Sequence, residues 1–244
     1  MDSRHIKDYF SQDGVVCDYA RAVLNVGLWE SEKIVFGRFF KTGDRLLELG
    51  CGAGRIAHNM YALGYKNIVS TDFSENMISV AKAISEDFGY AVDYRVEDAT
   101  SLSFESSSFN GAIFGFNGLM QIPKRGRRRV AMSEIFRVLK KESFFAFTTH
   151  DREAPRNAKY WEHEREKWKD GTRHLKLDEF GDICYESEHG ELFIHSPTCA
   201  EVEEDMSSCG FQKIFSKKRS EIACEPQCVR EFSDECIFWV YKKV

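Results

Sequence analysis

The chain has 244 residues, 43% hydrophobic and 30% charged, with a net charge of −5. That length suits one large domain or two small ones, and the apolar share supports a sizeable core, which excludes intrinsic disorder. No apolar run approaches the roughly 18 residues of a membrane span, and the acidic balance argues against nucleic acid as the default partner.

Residues 1–43 read as a helical cover, with Ile34, Val35 and Phe39 turned to a core. Met1-Asp2-Ser3-Arg4-His5 has no apolar segment behind it, so no signal peptide and a cytoplasmic protein are expected. Arg45–Leu49 is strand-length and runs into Gly50-Cys51-Gly52-Ala53-Gly54, and a helix follows to about Leu63. Asn67–Asp72 is the second strand. Ser74 can cap a helix on which Met77, Ala81, Ile84 and Phe88 share one face, and Gly89 ends it. Ala91–Val96 and Gly111–Phe116 are the next strands. A helix over Arg127–Leu139 and a strand over Ser143–Thr149 complete the alternation. It predicts parallel βαβ units in a doubly wound α/β sheet, with 44–150 as the ligand-binding core.

Residues 151–197 break the pattern with a charged helix around Trp161–Trp168 and then short strand-like pieces. An insertion at the carboxyl ends of the strands falls where ligands bind in such sheets. This one is expected to be a substrate cap, offering Tyr160, Trp161, His163, Trp168, His174 and His195 to a closing pocket. In 198–244, Thr198 and Glu201 form a capping box, Gly210 sits at a C-cap position, and Phe211–Ser216 and Cys236–Tyr241 are the last strands. The whole reads as a single domain.

The chemistry concentrates at Glu48-Leu49-Gly50-Cys51-Gly52-Ala53-Gly54. Glycines at 50, 52 and 54 permit positive φ and leave the backbone bare to a ligand. The loop leads into a helix N-terminus, whose free N–H groups favour a carboxylate or phosphate. Asp72, at the end of the next strand, can accept hydrogen bonds from a ribose diol. A dinucleotide fingerprint read from Gly50 requires a third glycine where Arg55 stands, and read from Gly52 it meets Ala57, which fits only the G/A variant. Glu48 inside the strand suits a ligand that carries an ammonium group near the loop.

These residues resemble the class I S-adenosylmethionine-dependent methyltransferases. Glu48–Arg55 matches the E/D-x-G-x-G-x-G motif of that family, Ser70–Met77 its second block, Glu97-Asp98-Ala99 its third, and Ser108–Phe114 with Glu134–Lys140 its fourth strand and following helix. Asn110 stands where the family usually has Asp. The resemblance implies a Rossmann-like seven-stranded sheet with the last strand antiparallel. It implies S-adenosyl-L-methionine as cofactor and methyl transfer to a small-molecule acceptor, driven mainly by alignment. Glu48 with Gly50, Cys51, Gly52 and Gly54 would hold the methionine end, Asp72 the ribose and Asp98 the adenine. Phe73, Met77, Ala99 and Phe116 would line the walls.

His150, after the fifth strand, is a candidate base or a capped loop residue. Tyr9, Tyr19 and Trp29 read as core aromatics before they read as a cofactor cover. No metal is expected, because Cys224, Cys228 and Cys236 lack a fourth ligand at paired spacing. Three other classes stay open: an RNA methyltransferase using Lys124–Arg129, a non-catalytic S-adenosylmethionine-binding regulator, and a nicotinamide oxidoreductase, which Arg55 and Glu48 disfavour. The sequence specifies neither the acceptor nor the oligomeric state.

Overall fold

The computed structural model describes residues 1–244. Three helices precede the first strand: α1 (Ser3–Phe10), α2 (Asp13–Asn25) and α3 (Glu30–Phe39). The chain then alternates through β1 (Leu46–Leu49), α4 (Arg55–Ala62), β2 (Ile68–Asp72), α5 (Glu75–Phe88), β3 (Asp93–Val96), β4 (Phe109–Phe114), α6 (Arg125–Val138) and β5 (Leu139–Thr149). Local signals set the helix ends. Ser74 Oγ accepts from the Met77 N–H, and Gly89 closes α5 at φ 66°. Every residue of β1 and β2 is buried, as expected of strands covered by helices on both faces.

The sheet order is β3-β2-β1-β4-β5-β9-β8, where β8 is Phe211–Lys218 and β9 is Ile237–Lys243. The first five strands pair in parallel, and β9 runs antiparallel to both neighbours. The seven-stranded doubly wound sheet with its antiparallel last strand is therefore present. One large apolar cluster packs around Leu47, Phe109 and Ile135, and another around Trp29, Leu46 and Ile113. No helix is long and apolar enough to cross a membrane.

Several edges differ from the sequence reading, two of them by more than a register step. The fourth strand ends at Phe114, because Phe116 and Asn117 take positive φ of 49° and 58° and turn the chain. The fifth begins at Leu139, directly where α6 stops.

Two excursions leave the sheet. Residues 151–197 hold α7 (Ala158–Asp170) and the hairpin of β6 (Asp182–Ser187) with β7 (Gly190–His195). The hairpin braces the N-terminal helices: Tyr9 Oη lies 3.0 Å from Ser187 Oγ, and His189 Nε2 lies 2.9 Å from Asp18 Oδ2. Helix α8 (Cys199–Ser208) leads into β8, and between β8 and β9 run α9 (Arg219–Ile222) and α10 (Gln227–Phe232). The Glu225 carboxylate, which joins them, accepts from the Glu30 and Ser31 N–H groups at 2.9 Å each and so caps α3.

Candidate functional site

A cavity of about 1110 Å³, counting its open mouth, lies at the carboxyl ends of β1, β2 and β4. The glycine loop forms its floor. Gly52 sits at φ 54°, and a β-carbon there would come 2.7 Å from Tyr19 Cδ1. Gly54 sits at φ 90°, and a β-carbon there would collide with Tyr94 Oη and the His58 ring. Both positions therefore exclude other residues by conformation and by space. His58 pins the loop from below, with Nδ1 2.7 Å from the Gly54 carbonyl oxygen and Nε2 3.0 Å from Ser85 Oγ.

Two carboxylates face this cavity from adjacent strands. Glu48 is 1% exposed, and its Oε2 accepts from Ser70 Oγ at 2.8 Å. Burial pushes its carboxyl up to about 8, against the pull of the Ser70 hydroxyl and of Arg55. Asp72 accepts from the Gly52 N–H and the Ser74 N–H, 2.9 Å each, so it ties the loop to the start of α5. Burial raises its carboxyl, and those N–H groups draw it back. The Cys51 thiol, buried between them, is raised by the same desolvation and stays a neutral wall group.

Arg55, at the position that breaks the dinucleotide fingerprint, is bonded to both oxygens of Glu32 on α3 at 2.7 Å each, and to the Gly27 carbonyl oxygen. This buried pair bolts the N-terminal helices to the loop. Trp29 lies between two guanidinium groups, Arg55 at 5.0 Å and Arg219 at 5.1 Å from ring centroids.

Most residues singled out by the motifs converge here. Glu48, Gly50, Cys51, Gly52, Asp72, Phe73, Met77, Asp98, Ala99 and Phe116 line the cavity; Gly54 shapes the loop without lining it. His150 does not line it. Its Nδ1 donates to the Glu235 carbonyl oxygen at 3.2 Å, which leaves Nε2 to accept from Asn117 Nδ2 at 3.2 Å. Burial lowers its basicity as well. Both ring nitrogens are thus engaged at the end of β5, outside the cavity.

The expected substrate cap also lies elsewhere: residues 151–197 contribute nothing to the lining. Trp161 and Trp168 pack edge-on against Phe180 at 5.5 and 6.1 Å, and His195 is buried against Asp182 at 2.8 Å.

The cover comes instead from Ile6 and Phe10 of α1, Tyr19 and Ala22 of α2, and Phe232 of α10. The sequence reading gave none of these to the ligand wall over core packing. Their one local signal is the i, i+4 spacing of Ile6 and Phe10. Arg127 joins the rim, bonded to Asp98 Oδ2 at 3.4 Å and Thr100 Oγ1 at 3.0 Å. Asn110, the departure from the motif, accepts from the Arg45 N–H at 3.2 Å and from Lys140 Nζ at 3.1 Å, away from the cavity.

A family described as a methyltransferase domain matches residues 46–142. The ubiquinone biosynthesis O-methyltransferase of Roseobacter denitrificans is 38% identical over 68 residues, 28% of this chain and 27% of that protein. The demethylmenaquinone methyltransferase of Lactococcus lactis is 34% identical over 102 residues, 41% of this chain and 39% of that protein. The chain thus matches well under half the length of these curated relatives. Among solved structures, a methyltransferase from Methanosarcina mazei aligns with a TM-score of 0.69 at 20% identity, covering 86% of this chain and 97% of that one. The cyclase SpnF aligns at 0.65 with 18% identity, covering 96% and 95%. The fold is that of the class I S-adenosylmethionine-dependent methyltransferases, and with the matched domain it implies S-adenosylmethionine as cofactor.

Proposed function

We propose that this chain, with its methyltransferase domain over 46–142, transfers the methyl group of S-adenosylmethionine to a small-molecule acceptor in the cytoplasm. The observation that carries the reading is Glu48 and Asp72 facing one cavity across a left-handed glycine loop. The residues fit the cofactor. Glu48 has one oxygen bonded to Ser70 and would give the other to the ammonium group. The bare loop backbone and the N-terminus of α4 would receive its carboxylate. Asp72 would take the ribose hydroxyls, and Asp98 the adenine amino group. Phe73, Met77, Ala99 and Phe116 would supply the apolar walls.

When bound, the cofactor supplies an electrophilic methyl on a sulfonium, a good leaving group. The protein's own part is to align the acceptor and exclude water. The names of the quinone-pathway relatives favour a small acceptor over RNA. The basic cluster does too: Arg125 and Arg129 are bonded to Asp205, Arg127 to Asp98 and Arg128 to Glu179. The cyclase among the structural neighbours shows that this fold also hosts other chemistry, so turnover is the deciding measurement. Calorimetry should show binding of S-adenosylmethionine and S-adenosylhomocysteine without added metal, and a screen with labelled cofactor should find a methylated product by mass spectrometry. Binding of a nicotinamide dinucleotide in their place would overturn the reading.

A further inference from the structure

Away from the cavity, the β6–β7 hairpin gathers donors of another kind. His174 from the loop after α7, Cys184 on β6 and Glu191 on β7 bring an imidazole nitrogen, a sulfur and a carboxylate oxygen within 4.8 Å of one another. Cys184 pairs with Phe193 and Glu186 with Glu191, so Cys184 and Glu191 are diagonal neighbours on one face of the hairpin. Phe193, on the same face, packs with Ile6, Tyr9 and Phe10 of α1. The cluster therefore sits at the seam between the hairpin and a helix that covers the cavity. None of its three residues lines the cavity itself.

The separations are those of ligands around one ion. Tetrahedral zinc holds sulfur at about 2.3 Å and nitrogen or oxygen at about 2.0–2.2 Å, which sets neighbouring donors roughly 3.3–3.8 Å apart. His174 Nε2 is 3.4 Å from Glu191 Oε1. The other oxygen of Glu191 takes the Lys176 ammonium, with His5 Nε2 at 3.9 Å. An ion on Oε1 therefore leaves the lysine pair in place. His174 Nδ1 accepts from the Lys176 N–H at 3.4 Å. A metal on Nε2 moves the ring proton to Nδ1 and gives up that long contact. Three protein donors are then in position, and water completes the tetrahedron.

Donor chemistry selects the ion. A thiolate with an imidazole suits zinc, whereas magnesium and calcium prefer oxygen alone. The neighbouring clusters lack this character. Asp18, Glu188 and His189 include no sulfur. Glu179, Asp182 and His195 are engaged already, Glu179 by Arg128 and the other two by each other.

We propose that His174, Cys184 and Glu191 form a binding site for one zinc ion, which ties the 171–178 loop to the hairpin that braces α1. On binding, the Cys184 thiol releases its proton to solvent, and no electron is transferred. The proposal is independent of the methyl-transfer reading. To test it, the reduced full chain is stripped with a chelator and titrated with zinc by calorimetry. A parallel titration with cobalt reports any metal–sulfur bond by its thiolate charge-transfer band. One zinc per chain is expected, with a Kd of about 1 µM or tighter. Outer partners of a metal are worth 10–100-fold, so loss of a ligand should cost at least that. Cys184→Ser should therefore abolish the cobalt band and weaken zinc by about 100-fold. His174→Ala, at an exposed position, should weaken zinc at least tenfold and serves if the serine variant fails to fold. Cys224→Ser, on an exposed cysteine elsewhere, should alter neither reading. Zinc should raise the melting temperature of the parent and not that of Cys184→Ser. Absence of zinc binding below about 100 µM, a cobalt band that survives Cys184→Ser, or indifference to His174→Ala overturns the site.

Discussion

The cavity has two unlike walls. The floor comes from one stretch of chain, 48–73, where β1, the glycine loop and the end of β2 follow one another. Its two carboxylates are bonded within that stretch or to the residue just after it: Asp72 to the Gly52 and Ser74 N–H groups, Glu48 to the Ser70 hydroxyl. The other wall gathers Phe10, Tyr19, Phe116 and Phe232 from four separate places, and its cohesion is ring against ring. A floor fixed by short-range hydrogen bonds can stay constant while a wall assembled from distant apolar residues is remodelled. The first arrangement suits an invariant ligand, and the second suits one that differs from protein to protein.

The largest test strikes the bolt between the walls. Glu32→Gln leaves Arg55 buried with half its partner lost. Breaking a buried pair from one side costs about 3–5 kcal/mol, and the pair here is bidentate at 2.7 Å. Chemical denaturation should show a loss of that order; a loss below about 1 kcal/mol would mean that the walls hold without the pair.

Asp72→Ala should act on the floor alone. Hydrogen bonds to a charged group are worth about 1.5–3 kcal/mol each, so cofactor affinity should fall by one to a few powers of ten. Because the same carboxylate holds the Gly52 and Ser74 N–H groups, some thermal stability should go too. Calorimetry beside a melting curve separates the two losses, and parental affinity in a folded variant would remove Asp72 from the site.

Acidity provides a third test. Glu48 is pushed up to about 8 from an ordinary 4.5, so the folded protein keeps a proton that the unfolded chain releases. Its contribution to stability is full below about pH 4.5 and is lost as pH rises through 8, with a slope of at most about 1.4 kcal/mol per pH unit. Glu48→Gln should flatten that part of the profile. A ligand ammonium favours the ionised form, so cofactor binding at pH 7 should release up to about one proton. Equal binding heats in buffers of different ionisation enthalpy would exclude this.

The smallest effect is expected from His150→Ala, because the ring lies outside the cavity with both nitrogens engaged. The methylation rate should change by less than about tenfold. A drop of about 10²–10⁴ would restore it as a general base.

The same contrast explains what could be read from the sequence. Glycine spacing, the Ser74 cap and the Thr198–Glu201 capping box are local patterns with local causes, and each appears in the fold. The floor residues were legible for that reason. Phe116 looked like the end of an apolar strand, because nothing in Gly111–Phe116 announces the positive φ that aims its ring. Phe232 sits on a six-residue helix whose place is set by Glu225 on α3, a contact no periodicity encodes. Residues 151–197 drew attention by their length and aromatic content, yet the hairpin they carry props up α1 and α2 instead of lining the cavity.

Glu225 has a consequence for the order in which the molecule is completed. The N-terminal end of α3 emerges early in synthesis, but the carboxylate that caps it lies 195 residues further on from Glu30. The ribosome must therefore add those 195 residues before that end is satisfied. Until then Trp29 lacks Arg219 beside it and Phe116 lacks Phe232 against it. The nascent protein can fold its glycine-loop half first, and the aromatic wall closes only as the last strands arrive.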